Sequence, residues 1–550
     1  MEGERVEGRT GDHPDHQPGP LSPKAPMPVS LSQYLYVLFR PLLNKVHVTR
    51  RGSREFDPQD ILLPEGYTAE IVVTGLNDPV HCCFDDQGYC YVTECGHKIG
   101  AKPRILKVDP ENGEYDTYFE LPEERWEFVG AFTGACWHEG SLYIMNSGVL
   151  SRLREDGTIE DLVSGLPWGD HQPNYPVVGP DGKLYWGQGT VTNAGVVGPD
   201  DYAYGFLKVH PDWHDVPGED VKLVGRNYEY RDILGNLGET VRTGAYVPYD
   251  TETEPGQIIE GRVKCSGAVL RCNPDGSDLE LVAWGLRNPY GTAFHPDGRL
   301  FVTEHGIDER GVRYIIGDYD DFYEIDDGAW YGWPDFASGI RLDDPYWGAR
   351  GRGREPVLAE HPDPAPPWPF VSFPAHVGSN GVDFCSDPAF GFEGDAFVAL
   401  FGDLAPVTTR KVTPAGFKVV RVDMQDRQVV DFAVNRFTGA ASQAPHKGFE
   451  RPSHCQFGPD GALYVVDWGE IVPALDRVNV RERFGTGALW RIRPTGGTKG
   501  ERPPQPIEIQ RLAVQGVAAL AGFAAGLAGG LLIGRLLSRK GGAGGKGNTR

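Results

Sequence analysis

Short runs of alternating apolar and polar residues, placed on both sides of a tight turn, recur along the chain. In the turn at 295–298, His-Pro-Asp-Gly, proline pre-sets φ and the Asp-Gly pair suits a hairpin. Aromatic and β-branched residues around each turn predict the inner hairpin of a small antiparallel sheet. Related turns lie at 84–88, 137–140, 179–182, 295–298, 392–395 and 458–461.

Six related hairpins without strong helical periodicity between them predict an all-β fold, a six-bladed β-propeller. The turns are spaced more widely than the roughly 40–45 residues of a minimal blade, so long loops are inserted between strands. We expect four-stranded blades over residues 57–494, with the hairpins lining the axis and the chain ends closing one blade. Inserted loops of this kind often carry binding sites.

The charge and the cysteines exclude two classes of function. The formal net charge is -24, which argues against nucleic acid or an anionic surface as a partner of the globular part. The 9 cysteines are scattered without CxxC spacing, so a zinc cluster is not expected. Most of them should be small apolar residues of the core.

The two ends differ in composition from the middle. Residues 1–56 are predicted to be a largely disordered tail with an apolar segment at 31–48, which Arg40-Pro41 interrupts and which is too short to span a bilayer. No basic region precedes that segment, so it makes a poor signal peptide. We interpret it as an interfacial or packing segment; a role in export is the alternative.

The C-terminal end predicts one transmembrane helix. After a linker at 495–511, residues 512–534 are long and apolar enough to span, and a basic tail follows at 535–550. By the positive-inside rule the protein is expected to be membrane-anchored, with the propeller extracytoplasmic. Glycines recur every fourth residue from 522 to 534, which favours a helix-mediated homo-oligomer; a merely tolerant Gly/Ala-rich span is the alternative.

Four polar residues occupy matching positions ahead of the inner strands. His171, Arg287, Asn288 and Arg451 stand six or seven residues before the last strand residue of their repeats. Equivalent positions of a closed propeller share one rim, so these residues should converge on one mouth of the channel. They offer a candidate general base and two cations for a carboxylate-bearing ligand. Each residue alone could instead lock its own loop.

These residues belong to longer motifs that resemble the glucose/sorbosone dehydrogenases. The motifs are Asp-His-Gln at 170–172, Val-Gly-Pro-Asp-Gly-Lys-Leu-Tyr at 178–185, Leu-Arg-Asn-Pro at 286–289 and Tyr-Gly-Trp-Pro at 331–334. Gly-Gln-Gly-Thr at 187–190 and Thr-Asn at 192–193 are most similar to the sorbosone branch. The resemblance covers about residues 63–494.

The resemblance implies a six-bladed propeller that uses pyrroloquinoline quinone (PQQ) with calcium. It implies that His171 takes the proton of a sugar or sugar-derived aldehyde while hydride passes to the quinone. It further implies that Gln172, Arg287, Asn288 and Arg451 bind the cofactor. The carbonyl groups of Gly306 and Ile307 would be calcium ligands, since calcium accepts backbone oxygen.

Two departures from the family pattern reduce the number of cations for an anionic cofactor. Gly402-Asp403 stands where a cofactor-binding lysine is expected, and Ser453-His454 stands where a second arginine is expected. Arg410, Lys411 or His454 could replace them. The acidic run from Asp318 to Asp327 lacks the calcium-loop pattern of EF-hands and is interpreted as a solvated loop.

Two other functions remain open at this stage. A metal-dependent lactonase would need a cage of carboxylate and asparagine side chains on the axis, for which Asn288, Asn380 and Glu304 are available. A non-catalytic propeller that binds a carbohydrate or a protein partner at the cell surface would follow if the cofactor site is dead.

Overall fold

The structure is a computed structural model. It describes the following parts of the chain: 53–96, 102–122, 131–208, 210–232, 234–235, 239–348, 351–404, 408–409, 415–473 and 480–508. The predicted membrane span at 512–534, the basic tail and most of the N-terminal tail lie outside these ranges. Within them, no helix is long and apolar enough to cross a membrane.

Six antiparallel sheets form a closed ring, which confirms the predicted all-β six-bladed propeller. The innermost strand of each sheet contacts an inner strand of the sheet on either side, all the way around the ring. From blade one to blade six the innermost strands are Pro79–Phe84, Phe132–His138, Val177–Val178, Pro289–Phe294, Ser379–Phe384 and Pro452–Phe457.

The outer strands of the first three blades follow in chain order. Blade one continues with Cys90–Glu94, Arg104–Val108 and Tyr115–Glu120. Blade two continues with Ser141–Asn146, Val149–Arg154 and Ile159–Val163. Blade three continues with Leu184–Gln188, Ala268–Cys272 and Glu280–Trp284.

The last three blades include the strands that close the ring. Blade four continues with Leu300–Glu304, Asp320–Glu324 and Val371–Phe373. Blade five continues with Ala396–Leu400, Lys418–Asp423 and Gln428–Asn435, and Ile61–Leu62 adds a fifth strand at its outer edge. Blade six continues with Leu463–Asp467 and Gly487–Pro494, and its outer strand is Tyr67–Leu76 from the other end of the chain.

The predicted turns connect the innermost strand of each blade to the next strand. In the Pro-Asp-Gly turns the aspartate locks the hairpin: Asp181 and Asp460 each accept a hydrogen bond of 2.9 Å from the tyrosine four residues later. Gly182 and Gly461 have φ near +77° and +73°, which suits glycine. Local turn chemistry therefore fixes the inner hairpins.

Apolar side chains fill the space between each pair of neighbouring blades. One such core joins blades one and two through Tyr91, Ile105, Phe132 and Leu142, all of them buried. Each of the other five contacts between neighbouring blades has a similar core. All 9 cysteines are buried, as expected for small apolar residues.

Two blades carry the large insertions. Blade three has one between its second and third strands, with the helix Pro199–Tyr204 and two small hairpins. Blade four has insertions on both sides of Asp320–Glu324. The short strands of these segments, and of one in blade six, are Val221–Lys222, Tyr228–Arg231, Thr240–Thr243, Ile258–Ile259, Tyr314–Ile315, Phe336–Ala337, Ile340–Arg341, Gly351–Arg352, Ile471–Pro473 and Val480–Glu482. The 3-10 turns are Pro58–Asp60, Phe206–Lys208, Pro345–Trp347 and Ala441–Gln443.

Candidate functional site

Three of the four predicted rim residues lie together where the chain enters the inner strands of blades three and four. The backbone N–H of His171 donates to Thr190 (2.9 Å), and the N–H of Thr190 donates to Arg287 (2.9 Å). A Cβ on Gly189 would overlap the His171 side chain, so only glycine allows this approach. The backbone thus places His171 beside Arg287 and Asn288.

A buried charge network surrounds them. Arg310 holds both oxygens of Asp170 (2.7 and 2.6 Å) and also contacts Asp308 (2.8 Å) and Asp200 (3.0 Å). Arg287 pairs with Asp308 at 3.0 Å. Burial opposes the charged forms. Arg287 and Arg310 nevertheless hold the pKa of Asp308 below its usual value, whereas burial raises the pKa of Asp200 despite Arg310.

His171 is placed to act as a base. Its Nδ1 lies 3.5 Å from Asp170 Oδ2, and its side chain is 12% exposed. Burial holds the pKa of His171 well below its usual value, and the nearby Arg287 and Arg310 lower it further against the opposing effect of Asp308. The imidazole is therefore neutral near pH 7 and can accept a proton.

Gln172 and Asn288 present amide groups in the same region. Asn288 Nδ2 lies 2.9 Å from His305 Nδ1. The Gln172 side-chain oxygen is buried and has no hydrogen-bond partner among the described residues. A buried acceptor without a partner costs free energy, so this amide is suited to a ligand that donates a hydrogen bond.

Arg451 enters the inner strand of blade six, away from the His171 cluster. Its Nη1 donates to the carbonyls of Gly402 (2.8 Å) and Asp403 (3.2 Å), and its guanidinium lies over the rings of Phe401 and Phe417. Within the described ranges it makes no side-chain ion pair with a carboxylate, and burial lowers its pKa to about 10. Arg451 is thus a buried cation whose charge no salt bridge compensates.

The structure shows how the loop at the predicted calcium ligands is held. The carbonyl of Gly306 accepts a hydrogen bond of 2.7 Å from Arg287, while the N–H groups of Gly306 and Ile307 donate to Asp320 and Asp318. No group of three or more His, Cys, Asp or Glu side chains in the described parts of the chain is arranged to hold a metal. Calcium at Gly306 and Ile307 would therefore rest on backbone oxygens, and it stays a prediction.

The interpretation of the acidic run as a solvated loop is wrong for its first half. Asp318, Asp320 and Asp321 are each 2% exposed, because the run turns inward as the third strand of blade four. Backbone N–H groups and serine hydroxyls satisfy them, and burial raises the pKa of Asp318 to about 7. Only Asp326 and Asp327 are exposed as expected.

The other histidines are poorer candidates for the base. Both ring nitrogens of His305 are bound, one by Asn288 and the other by Asn380 at 3.0 Å. Burial lowers the pKa of His376, but contacts with Glu309 and Asp308 outweigh that effect and raise it, favouring the cationic form. Burial lowers the pKa of His454 to about 3, so His454 cannot replace a missing cation.

The residues considered for a lactonase cage are committed to structural roles. Asn288 and Asn380 hold His305, as described above. Glu304 Oε1 accepts the backbone N–H groups of Arg287 and Asn288, and burial raises the pKa of Glu304 to about 8. Glu304 Oε2 has no hydrogen-bond partner among the described residues, so a metal-binding role for Glu304 stays a prediction.

Sequence reasoning missed the residues that complete the network. Asp308 and Arg310 directly follow the predicted calcium loop, and Asp200 lies in the helix of the blade-three insertion. Asn193, inside a motif used for the family resemblance, accepts from Arg287 at 2.7 Å. The closeness of Asp308 and Arg310 to Gly306 and Ile307 was the one signal that could have indicated them.

The chain is similar in sequence to known proteins. A model of the family "Glucose / Sorbosone dehydrogenase" matches residues 234–472. Quinoprotein glucose dehydrogenase B of Acinetobacter calcoaceticus is 26% identical over 312 residues, which are 51% of this chain and 55% of that protein. The chain thus spans about half the length of this relative.

The chain is also similar to solved structures at low sequence identity. The PQQ domain of pyranose dehydrogenase from Coprinopsis cinerea, in its holo form, has a TM-score of 0.50 at 14% identity, over 80% of this chain and 98% of that one. The PQQ-bound aldose sugar dehydrogenase of Streptomyces coelicolor has a TM-score of 0.45 at 16% identity, over 78% and 99%.

The fold defines the protein as a six-bladed β-propeller. More particularly, the chain is similar to the glucose/sorbosone dehydrogenases over residues 234–472.

Proposed function

We propose that the protein is a quinoprotein oxidoreductase that uses PQQ to oxidise a sugar or a sugar-derived aldehyde such as sorbosone, with His171 as the general base. One observation carries the proposal: a neutral imidazole backed by Asp170 lies beside Arg287 and Asn288 at one mouth of the propeller. The similarity to a quinoprotein glucose dehydrogenase supports the same class of reaction.

The residues present fit an anionic, amide-bound cofactor. Arg451 supplies a buried guanidinium that makes no salt bridge within the described residues, which would favour a carboxylate. The buried Gln172 oxygen is free to accept a hydrogen bond. Arg287 adds positive charge, although Asp308 already compensates part of it. PQQ supplies a quinone that accepts a hydride when it is bound, and calcium at Gly306 and Ile307 would polarise it.

The protein's own contribution to the chemistry is to place and tune His171. Asp170 stands 3.5 Å from Nδ1, so it can orient the ring and stabilise the imidazolium that forms when Nε2 takes the substrate hydroxyl proton. Arg310 holds Asp170 through both carboxylate oxygens and is a positioning residue. The low exposure of the site limits competition by water.

Replacing the histidine tests this role. In His171→Gln, kcat for sugar oxidation should fall by about 10²–10⁴, because glutamine cannot accept the proton, while PQQ affinity stays nearly unchanged. Enzyme reconstituted with PQQ and calcium would be assayed with aldoses and sorbosone and an artificial electron acceptor. His138→Gln, at the hairpin end of blade two, is the matched control. A His171→Gln variant that keeps most of its kcat would show that the base lies elsewhere.

A non-catalytic propeller is the second candidate. It is favoured by the loss of two expected cations, because Asp403 is acidic and His454 is neutral. Titration of the protein with PQQ and calcium, followed by the absorbance of the bound quinone, separates the two candidates. Saturable binding supports the enzyme, and no binding up to millimolar PQQ supports the non-catalytic propeller.

We further propose that the segment at 512–534 anchors the protein in a membrane, with the propeller extracytoplasmic and paired through that helix. The hydropathy of this segment, the basic tail after it and its glycine spacing support this topology. Protease added to intact cells should then remove the propeller. Full protection would place the propeller in the cytoplasm.

A further inference from the structure

A second cavity opens at the other mouth of the propeller, where the hairpins turn. It has a volume of about 610 Å³, within the range of sites for small molecules. The innermost strands of all six blades and the segment before the inner strand of blade three line it. None of the residues at the His171 site lines this cavity.

Stacked rings fill the channel between the cavity and the His171 site. The ring centroids of His81 and His454 are 3.9 Å apart, and those of His81 and Tyr175 are 4.2 Å apart. Tyr290 continues the column beside Tyr175 (6.4 Å) and stacks on His305 (5.4 Å). Because these rings are in or near contact, a ligand in the second cavity does not share the space of the rim site.

The carboxylates of the cavity already have partners. Asp85 accepts from two backbone N–H groups and from Tyr91, and Lys107 lies 3.3 Å away. Asp86 accepts from Trp137 Nε1 at 3.4 Å. Asp383 accepts from two backbone N–H groups, and burial raises its pKa to about 6. The lining contains no lysine or arginine, so it does not suit an anion.

The hydrogen-bonding capacity that remains belongs to uncharged groups. His81 Nδ1 and Thr292 Oγ1, on residues that line the cavity, are buried and have no hydrogen-bond partner in the described chain. Buried polar atoms without partners are costly, and a ligand whose hydroxyl groups reach them could satisfy both. The lining also includes the aromatic side chains of Trp137 and of four phenylalanines: Phe84, Phe294, Phe384 and Phe457.

We propose that this hairpin-side cavity binds a neutral polyhydroxylated ligand of monosaccharide size. Uncharged donors and acceptors among aromatic ring faces match the alternating hydroxyl and C–H surfaces of a sugar. A cation would need carboxylates with spare capacity, whereas here Asp85 and Asp383 each accept at least two hydrogen bonds, and Asp86 is the one exposed carboxylate of the lining. The site is distinct from the proposed site of oxidation and does not depend on PQQ.

Ligand-observed saturation-transfer NMR on the full-length protein tests the proposal, with D-glucose and myo-inositol as probes and butylamine as a cationic comparison. Both polyols should bind more tightly than butylamine. Thr292→Val, which keeps the shape but removes the unpaired hydroxyl, and Trp137→Leu should each weaken polyol binding about 5- to 10-fold, as expected for one lost contact of about 1 kcal/mol.

His171→Gln is the control that separates the two sites, because it alters only the rim. Its polyol affinity at the hairpin-side cavity should match that of the unchanged protein. The proposal is overturned if the polyols do not bind at 100-fold molar excess in the millimolar range, or if butylamine binds more tightly. It is also overturned if binding weakens in His171→Gln but not in Thr292→Val and Trp137→Leu, since the sugar would then occupy the rim site only.

Discussion

Replacing Arg310 with methionine should destabilise the protein more than a comparable change at the surface. Arg310 is the common partner of Asp170, Asp200 and Asp308, with contacts of 2.6 to 3.0 Å. Methionine fills a similar volume but leaves Asp200 without an ion-pair partner among the described residues, while Asp170 and Asp308 keep Arg287. Removing one partner of a buried ion pair typically costs about 3–5 kcal/mol.

The free energy of unfolding, from urea titrations at pH 7.5, measures this cost. Arg299→Met is the matched control, since Arg299 also pairs with two carboxylates, Asp297 (2.9 Å) and Glu324 (3.2 Å), but its side chain is 39% exposed. An exposed pair contributes about 0–1 kcal/mol. We therefore expect a difference of about 3 kcal/mol between the variants.

The pH dependence gives a second check. Without Arg310 the folded-state pKa values of the orphaned carboxylates should rise above their unfolded values. A group of this kind contributes its full stability at pH values below its pKa in the unfolded chain. That contribution is lost as the pH rises through its pKa in the folded protein. The deficit of Arg310→Met should thus be small near pH 4 and grow toward pH 7.5. Equal stability of the two variants at pH 7.5 would refute this account of the network.

Three further changes test other parts of the structure. Burial raises the pKa of Glu304 from 4.5 to about 8, so this group makes the folded protein less stable as pH rises between those values. Glu304→Gln should therefore reduce the slope of unfolding free energy against pH by up to about 1.4 kcal/mol per pH unit. An unchanged slope would show that Glu304 is ionised in the folded protein. Gly187→Ala should reduce the yield of folded protein, because its Cβ would overlap the carbonyl of Pro289; normal yield and stability would contradict this contact. Removing residues 1–76 deletes the outer strand of blade six and should abolish cooperative unfolding, as measured by circular dichroism. Removing only residues 1–52 should leave cooperative unfolding intact.

The architecture could be predicted because its signals are local. A Pro-Asp-Gly turn between short β-branched and aromatic runs specifies a hairpin without help from distant residues, as at 179–182 and 458–461. The same alignment placed His171, Arg287 and Asn288 on one rim, since equivalent positions of different blades meet around the axis. Arg451 is on an equivalent strand entry, but it binds Gly402 and Asp403 rather than the His171 group.

The charge network could not be predicted because three of its members lie in insertions that no repeat aligns. Asp200 comes from a short helix in blade three, and Asp308 and Arg310 come from a loop in blade four. Their contacts depend on how two irregular segments fold over each other. The burial of Asp318, Asp320 and Asp321 was missed for a related reason: a run of carboxylates suggests solvent, unless tertiary hydrogen-bond donors are known to meet it.

Closure of the ring and assembly of the rim site are physically coupled. Arg310 contacts Asp170 in the segment before blade three, Asp200 in the insertion of blade three and Asp308 of blade four. These groups meet only when the two blades pack side by side, and that packing needs a ring whose last blade is completed by Tyr67–Leu76. The neutral state of His171 depends in turn on this burial and on Arg287 and Arg310. A change that opens the ring far from the rim should therefore raise the pKa of His171 toward its ordinary value, even though every residue of the site is still present.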